Sequence, residues 1–249
     1  MFSIFASVLG YLFLTVLCSV FLIISAVAFV VCYPFDPKRW VVHNLSRAMS
    51  YIFFFVFRWM WQYEISGLEN IDPKGRYVIM MNHNAMMDVP MLYFTSLDFR
   101  WVSKRQVFSI PFFGQFLVLH GDIAIERGNP AAAMKLVMER GLKWIGRGVS
   151  VSIFPEGTRS KTGEIGRFKS GGFRLAQEAG VEILPVVVDG TKTLLKSNGL
   201  LNPGRKIIIK VLPAVSAQRV AQTDVKVLMD EVHQDMVDGL AQIRANKNK

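Results

Sequence analysis

The chain starts with a long apolar run and then changes to short apolar runs separated by polar segments. No charged residue occurs between Met1 and Phe35. About 20 apolar residues are enough for a helix to cross the hydrocarbon core of a bilayer, so this run predicts a membrane segment. It could form one tilted crossing helix or a hairpin of two shorter helices. A cleaved signal peptide is the alternative, since Ala26-Val27-Ala28 resembles a cleavage site, but Met1–Phe5 lacks the basic n-region of such peptides.

A second apolar stretch, residues 51–57, is too short to span a bilayer alone. Aromatic residues lie around it, namely Trp40, Trp59, Trp61 and Tyr63. Because Trp and Tyr favour the headgroup level, residues 1–62 are predicted to form a membrane anchor that ends in an interfacial aromatic belt. The alternative is a buried core helix, since short apolar runs do not distinguish the two.

Basic residues give this anchor a predicted orientation. Lys38, Arg39 and Arg47 follow the first apolar run, and no positive residue precedes it. By the positive-inside rule, the rest of the chain is expected at the cytoplasmic face of the membrane.

Residues 63–249 alternate between short apolar runs and helical patterns, which is typical of a single α/β domain. Buried strands are predicted at residues 77–81, 149–154, 183–188 and 206–212. Helices are predicted at residues 129–146, opened by Asn-Pro, at 170–179, ended by Gly180, and over 225–243, where apolar positions recur at helical spacing. This alternation predicts a mixed, largely parallel central sheet flanked by helices on both faces.

Composition narrows the class of protein. Of the 249 residues, 51% are hydrophobic and 12% aromatic, which excludes intrinsic disorder. Cys18 and Cys32 both lie in the first apolar run, where we interpret them as small hydrophobic residues and not as a disulfide or zinc pair. The net charge is +10. Together with the apolar run, this charge favours anionic lipid surfaces over nucleic acid, because the cations are scattered and no nucleic-acid-reading motif is visible.

The segment after the first predicted strand carries side chains suited to acid–base chemistry. His83 and Asp88 are five residues apart in Asn-His-Asn-Ala-Met-Met-Asp. On one continuous helix they would point about 140° apart, so they can meet only if His83 lies in a loop and Asp88 near the start of the next helix. A carboxylate bonded to one ring nitrogen would leave the other as a general base. Alternatively, Asp88 is merely an N-cap and His83 an ordinary loop histidine.

Phe-Pro-Glu-Gly-Thr-Arg-Ser, residues 154–160, follows the carboxyl end of another predicted strand. In open α/β sheets, ligands bind at that edge. Pro155 and Gly157 predict a tight turn that projects Glu156 and Arg159 beyond the sheet, and the planar guanidinium of Arg159 suits a phosphate. Taken alone, the segment could equally be a surface turn with a solvated arginine.

Two further cations are expected at strand ends. Arg127 ends the segment Gly-Asp-Ile-Ala-Ile-Glu-Arg, and Lys104 follows a strand-like run over residues 100–103. Each signal is weak alone, but together with Arg159 they predict three cations near one candidate base.

These segments together resemble the glycerophospholipid acyltransferase family, and specifically its bacterial 1-acylglycerol-3-phosphate acyltransferases of the PlsC type. His83–Asp88 is similar to the family's HxxxxD motif, GDIAIER to its second block and FPEGTRS to its third. The apolar strand around Pro185 is similar to the fourth block. The blocks occur in the family's order, and an N-terminal membrane anchor is also typical of the family.

The resemblance implies a reaction and a role for each matching residue. His83 would deprotonate the 2-hydroxyl of lysophosphatidic acid, and Asp88 would orient the ring. The hydroxyl would attack the thioester of acyl-CoA or acyl-carrier protein directly, which makes phosphatidic acid for phospholipid biosynthesis. The acceptor's phosphate would be bound by Arg159, Arg127 and Lys104, in a pocket shaped by Glu156 and Gly157.

No metal or cofactor is expected, the acyl donor being a co-substrate. His43, His120 and His233 lack ligand-like neighbours in the sequence, and the absence of a GxSxG elbow argues against a serine acyl-enzyme. The expected partners are membrane lipids, lysophosphatidic acid and the acyl donor, but not nucleic acid. Two alternatives remain open, namely the same chemistry on another lysolipid and a non-catalytic basic protein that binds anionic lipid.

Overall fold

The fold is built around a seven-stranded sheet. The structure is a computed structural model that describes residues 2–126 and 128–247. Its strands are β1 Trp61–Ser66, β2 Tyr77–Met81, β3 Phe99–Lys104, β4 Ile123–Ile125, β5 Ser150–Ile153, β6 Glu182–Asp189 and β7 Arg205–Val211. They lie in the order β1-β7-β6-β2-β5-β3-β4, and each adjacent pair is parallel except β6 and β7. The predicted mixed, largely parallel sheet is confirmed.

Helices cover both faces of this sheet. The α-helices of the described chain are α1 Phe2–Cys32, α2 Trp40–Val56, α3 Asp88–Met91, α4 Phe113–His120, α5 Pro130–Gly146, α6 Gly171–Ala179, α7 Ala217–Gln222 and α8 Val225–Lys247. Helix α5 begins where predicted because the Asn129 side chain accepts a hydrogen bond from the Ala132 N–H at 3.0 Å. Helix α6 ends where predicted because Gly180 adopts the left-handed conformation, with φ of 63°.

Strand β2 shows why the sheet is buried on both sides. Tyr77, Ile79 and Met81 alternate onto the face that packs against α2, whereas Val78 and Met80 point into the core formed with α5, α6 and α8. All five side chains are at most 1% exposed. A continuous apolar run is therefore what a central strand with two covered faces requires.

The direction of the strands determines where a site can form. Strand β2 is parallel to β5 and β6, and β3 is parallel to β5 and β4. These five strands therefore run the same way, and their carboxyl ends meet along one edge of the sheet. His83 lies in the loop after β2, Glu156 and Arg159 lie in the loop after β5, and Lys104 is the last residue of β3.

The first apolar run forms one continuous helix, α1, so the expected alternative of a hairpin within that run is wrong. Ile4–Cys32 is long and apolar enough to cross a membrane. One side of α1 nevertheless packs on the domain: the Tyr11 hydroxyl donates to the carbonyl of Gly199 at 2.5 Å, and the Ser7 hydroxyl accepts from the Leu201 N–H at 2.9 Å. The opposite side of α1 exposes large apolar side chains, including Val8, Leu12, Val16, Val20, Ile23, Val27 and Val30.

The second apolar stretch belongs to α2, which buries one face and exposes the other. Phe53 and Phe54 are buried, whereas Phe55 is exposed. The expected aromatic belt needs one correction, because Trp61 is 1% exposed and pairs with β7 as the first residue of β1. The sheet therefore begins inside the predicted anchor of residues 1–62, while Trp59 stays exposed.

Two histidines that are far apart in the sequence join α2 and α4 to the sheet. His43 Nδ1 lies 2.9 Å from His120 Nε2, and His120 Nδ1 lies 2.7 Å from Asp122 Oδ1. His43 Nε2 lies 2.9 Å from the carbonyl oxygen of Leu97. Both histidines are at most 2% exposed, so this chain of hydrogen bonds is shielded from solvent.

Candidate active site

His83 and Asp88 meet in the way that their spacing requires. Strand β2 ends at Met81, His83 lies in the loop that follows, and Asp88 is the first residue of α3. His83 Nδ1 is 2.8 Å from Asp88 Oδ2. Because a carboxylate oxygen accepts, Nδ1 carries the hydrogen and Nε2 keeps its lone pair. The His83 side chain is 14% exposed, so this free nitrogen can be reached from outside.

Asp88 is completely buried and held by donors from two loops. Its Oδ2 also accepts the backbone N–H groups of Asn84 at 2.6 Å and Ala85 at 2.7 Å. Its Oδ1 accepts the hydroxyl of Thr191 at 2.5 Å. These contacts satisfy the buried carboxylate and fix its orientation toward His83.

Glu156 holds the backbone of the histidine loop. Its Oε1 accepts the N–H of His83 and its Oε2 accepts the N–H of Gly166, both at 2.9 Å. Burial raises the pKa of the Glu156 carboxyl, whereas the two backbone donors oppose that rise. The carbonyl of His83 in turn accepts the N–H of Ser160 at 2.7 Å, so residues 154–160 pack directly against the His83 loop.

The imidazole of His83 also has an aromatic support. Its ring stacks on Phe154 with 3.9 Å between centroids, and Phe154 stacks on Trp101 at 4.8 Å. These flat contacts restrict rotation of the imidazole without using either nitrogen.

The amide of Asn82 ties the two central strands together beside the site. Its Nδ2 donates to the carbonyl of Val188 at 2.9 Å, and its Oδ1 accepts the Val188 N–H at 2.7 Å. Asn84 Nδ2 donates to the same carbonyl at 3.2 Å. The ends of β2 and β6 are thus joined by side chains where the strands diverge.

Two of the three predicted cations, Lys104 and Arg159, lie at the same edge of the sheet as His83. Lys104 is the last residue of β3, and the exposed Arg159 follows the turn at Gly157, where φ is +70°. Neither Lys104 nor Arg159 lies within 4 Å of a carboxylate in the described part of the chain. Arg127 lies outside the described residues. Lys169, which the sequence analysis did not select, packs its side chain against Gly157.

Two cavities are lined by residues of the loops that carry the site, although His83 itself lines neither. One has a volume of about 200 Å³ and is lined mainly by apolar side chains, among them Met86, Met87, Val89 and Pro90 around Asp88. The other has a volume of about 270 Å³ and is lined by residues that include Met134, Phe154, Gly157 and Lys169. The site therefore combines a histidine with an accessible side chain, cations and apolar space.

The sequence analysis did not identify Thr191, Asn82 or Phe154 as parts of this site. Thr191 follows the end of β6 in Asp-Gly-Thr, and Gly190 has φ of +94°. A polar residue after a turn at the end of a predicted strand was the signal available for Thr191. For the stacking of Phe154 on His83, the sequence held no comparable signal.

The acyltransferase family model matches residues 62–189, a range that contains the predicted site segments from His83 to Arg159. The solved structure of the 1-acyl-sn-glycerophosphate (LPA) acyltransferase PlsC from Thermotoga maritima superposes with a TM-score of 0.79 at 20% identity, covering 98% of each chain. That likeness shows that the two proteins share a fold.

Sequence relatives carry one recurring name, 1-acyl-sn-glycerol-3-phosphate acyltransferase. The Pseudomonas aeruginosa protein is 36% identical over 63% of this chain and 60% of its own length. The Borreliella burgdorferi protein is 30% identical over 72% of each chain. The chloroplastic Arabidopsis thaliana protein LPAT1 is 32% identical over 70% of this chain and 49% of its own length.

This chain spans about half the length of the plant relatives it matches. The family model nevertheless covers half of this chain, and the Borreliella relative is matched over 72% of its length. The chain therefore belongs to the acyltransferase family.

Proposed function

We propose that the protein transfers an acyl chain from an acyl thioester to the 2-hydroxyl of lysophosphatidic acid, which yields phosphatidic acid. The observation that carries this proposal is His83. Its Nδ1–H is held by the buried Asp88, its Nε2 has no hydrogen-bond partner among residues 2–126 and 128–247, and its side chain is partly exposed. The names of the relatives support lysophosphatidic acid as the acceptor.

The chemistry follows from the tautomer of His83. Nε2 accepts the proton of the acceptor hydroxyl as the oxygen attacks the thioester carbonyl carbon. The carbon–sulfur bond of the tetrahedral intermediate then breaks, and the imidazolium returns the proton to the departing thiolate. An ester and a free thiol are formed, and no acyl-enzyme or metal is needed. Asp88 stabilises the transient imidazolium, because its carboxylate already accepts the Nδ1–H.

The cations supply the charge that the acceptor requires. A phosphate monoester is held most strongly by charge-assisted hydrogen bonds, and a guanidinium can make two of them in parallel. We assign this role to Arg159, assisted by Lys104 and Arg127, with Glu156 and Gly157 shaping the loop from which Arg159 projects. The apolar cavity beside Met86 and Met87 suits an acyl chain.

The anchor supports action at a membrane, where the acceptor resides. We assign the anchor to the chain that precedes β1 and the acyltransferase domain to β1 and all that follows. The exposed apolar side of α1 is the surface that meets lipid, and Lys38, Arg39 and Arg47 favour the cytoplasmic face for the domain. The donor is acyl-CoA or acyl-carrier protein.

The test is acyl transfer by the purified, detergent-solubilised protein with a panel of lysolipids and both donors. We expect lysophosphatidic acid to be the best acceptor and His83→Ala to lower kcat by about 10²–10⁴-fold. His233→Gln, a histidine on α8 that contacts Phe168, is the matched control and should stay near wild type. Preference for another lysolipid would replace the acceptor assignment but keep the chemistry, whereas an active His83→Ala variant would refute the proposed base.

A further inference from the structure

A second concentration of positive charge lies beside the edge strand β4, away from His83. A groove of about 450 Å³ runs between β4, α5 and the segment that ends at Gly121. We call it the basic groove and define it by its five cationic side chains, Arg39, Arg105, Arg140, Lys143 and Arg147. Arg159 does not line this groove. The side chains that stack on His83 or hydrogen-bond to it do not line it either.

Carboxylates offset part of the positive charge of the basic groove, since Arg105 lies 3.5 Å from Glu126 and Arg140 lies 3.9 Å from Glu139 in exposed pairs. Among residues 2–126 and 128–247, no carboxylate lies within 4 Å of the guanidinium of Arg39 or Arg147 or of the ammonium of Lys143. The acid in the lining is Asp122, and burial raises the pKa of its carboxyl to about 7. At neutral pH this carboxyl supplies only part of a negative charge.

Guanidinium groups crowd around one indole at the end of the groove. Arg39, Arg100 and Arg147 lie 5.8, 4.9 and 5.2 Å from the ring of Trp144. Burial lowers the pKa of Arg39, and the charges of Arg100 and Arg147 lower it further. Arg100 is itself paired with Asp98 at 2.7 Å, so an anion in the groove would relieve chiefly the repulsion between Arg39 and Arg147. Their planar guanidinium groups suit the oxygens of a phosphate.

The groove lies next to the surface that we assign to the membrane. Arg39 immediately precedes α2, and its guanidinium lies 5.0 Å from the ring of Phe29 on α1. The neighbouring aromatic side chains Tyr33, Phe35 and Trp40 are 65%, 87% and 56% exposed. Because aromatic residues favour the headgroup level, they place the groove at the depth where lipid phosphates occur.

We propose that the basic groove binds the phosphate of an anionic phospholipid, as a site distinct from the acceptor site at Arg159. Such a lipid neutralises the crowded guanidinium groups and holds α5 and the edge of the sheet at the membrane surface. The other sources of a phosphate are free phosphate ions and the phosphates of coenzyme A. The position beside the exposed aromatic residues favours the lipid.

Native mass spectrometry of the full chain, released from non-ionic detergent micelles, tests the proposal because it resolves bound lipids by mass. The probes are phosphatidylglycerol and the zwitterionic phosphatidylcholine, with inorganic phosphate and coenzyme A as competitors. The groove variant is Arg140→Gln/Lys143→Gln/Arg147→Gln. The charge-matched control is Lys74→Gln/Arg174→Gln/Lys226→Gln, which changes exposed cations away from the groove.

We expect wild type to retain phosphatidylglycerol in preference to phosphatidylcholine, and the groove variant to bind it about tenfold more weakly or worse. The control variant should bind it within about twofold of wild type. Arg159→Gln should keep this binding even if it abolishes acyl transfer, so failure of the proposed function and failure of this site are distinguishable.

Three results would overturn the proposal. In the first, the groove variant binds phosphatidylglycerol as tightly as wild type. In the second, phosphatidylcholine binds as tightly as phosphatidylglycerol, which would show that the net charge of the lipid headgroup does not determine binding. In the third, coenzyme A or inorganic phosphate displaces the lipid stoichiometrically, which assigns the groove to that ligand instead.

Discussion

Asp88 shows how much of the site depends on a single carboxylate. It receives one ring N–H, two backbone N–H groups and one hydroxyl, and the hydroxyl comes from Thr191, 103 positions along the chain. The side chain of Asp88 can shift only if several of these bonds break together. The orientation of His83 therefore rests on Thr191 as well as on Asp88.

Thr191→Val is predicted to lower kcat by about tenfold or more, because a hydrogen bond to a charged group contributes about 1.5–3 kcal/mol. The KM for the acceptor should change little, since Thr191 acts through Asp88 as a positioning residue. Thr191→Ser should restore most of kcat. The measurement is steady-state kinetics with thermal unfolding in parallel.

Thr193→Val is the matched control, because the Thr193 hydroxyl donates to the carbonyl of Gly190 at 2.8 Å. If Thr191→Val raised KM and left kcat unchanged, the positioning role would be wrong.

Arg159→Lys is predicted to reduce kcat/KM for lysophosphatidic acid by roughly tenfold to a hundredfold, because an ammonium cannot reproduce a bidentate contact with phosphate. Arg159→Ala should be worse. The KM for the acyl donor should move far less, and measuring both KM values on the same variants separates the two sites. A defect confined to the donor would transfer Arg159 to the donor's binding site.

The sequence was sufficient for the pair His83 and Asp88, because a five-residue spacing after a strand leaves one arrangement in which the side chains meet. It was insufficient for Thr191 and for the bridge from Asn82 to Val188, which spans 106 positions. Those contacts depend on β2 lying beside β6, and strand order cannot be read from local patterns.

At the scale of helices and strands, α2 and α4 are joined to the sheet by the hydrogen bonds of His43, His120 and Asp122. Each of these contacts needs one hydrogen, so together they determine how many protons the three side chains carry. The carbonyl of Leu97 can only accept, so His43 carries its hydrogen on Nε2 and accepts at Nδ1. Arg100, which can only donate, also faces that Nδ1 at 3.4 Å. His120 therefore donates from Nε2, and its Nδ1 lone pair faces Asp122. The last contact needs one proton between His120 Nδ1 and Asp122 Oδ1. Because burial lowers the pKa of His120 and raises that of Asp122, this proton belongs to the carboxyl.

This proton count gives a pH-dependent stability. Burial raises the pKa of Asp122 to about 7. The protonated carboxyl therefore makes its full contribution to the free energy of unfolding below about pH 4, and this contribution is lost as the pH rises through about 7. Burial lowers the pKa of His43 and His120 well below the usual range, so their contribution has the opposite sign. It is present above about pH 6.5 and is lost as pH falls.

Asp122→Asn is therefore predicted to gain stability relative to wild type as the pH rises from about 5 to 8, by up to about 1.4 kcal/mol per unit. The amide can donate to His120 Nδ1 at every pH, but it then cannot accept the Trp101 N–H, which Asp122 Oδ1 accepts at 2.8 Å. The prediction therefore concerns the change of the stability difference with pH and not its absolute value. Thermal unfolding of both proteins across this range is the measurement. A difference in stability that stays constant with pH, or that grows against the variant, would contradict the proton count.

The cluster of His43, His120 and Asp122 shows which contacts cannot be predicted from the pattern of hydrophobic and polar residues along the sequence. His43 and His120 have no neighbours in the sequence that mark them as partners, and they meet only because α2 and α4 pack on the same face of the sheet. Strand β1 was missed because Trp61 and Tyr63 also fit an interfacial belt. Its parallel pairing with β7, which lies more than 140 positions away, decides in favour of the sheet.

For the molecule as a whole, the proposed membrane contact is the exposed side of α1. The substitution Val20→Lys/Ile23→Lys is predicted to reduce the fraction bound to phosphatidylcholine vesicles, because each lysine in the apolar layer costs about 2.5–3.5 kcal/mol. Val20 and Ile23 are 47% and 65% exposed and lie on one side of the helix.

Vesicle flotation at high salt is the measurement, and Leu68→Lys/Val227→Lys is the matched control at exposed apolar positions outside the anchor. If both variants floated like wild type, the exposed side of α1 would not be the membrane contact.

The long separation between Asp88 and Thr191 has a consequence for the synthesis of the chain on the ribosome. Helix α1 is synthesised first, whereas the hydroxyl that orients Asp88 arrives about 160 residues later. At about 5–20 residues per second, that interval is roughly 8–30 seconds. During this time the nascent chain can reach the membrane while its catalytic pair is still unsupported. A translation-arrested chain that ends before Thr191 should accordingly be membrane-bound and inactive, so the proposed acyl transfer would begin only after the chain has reached the membrane.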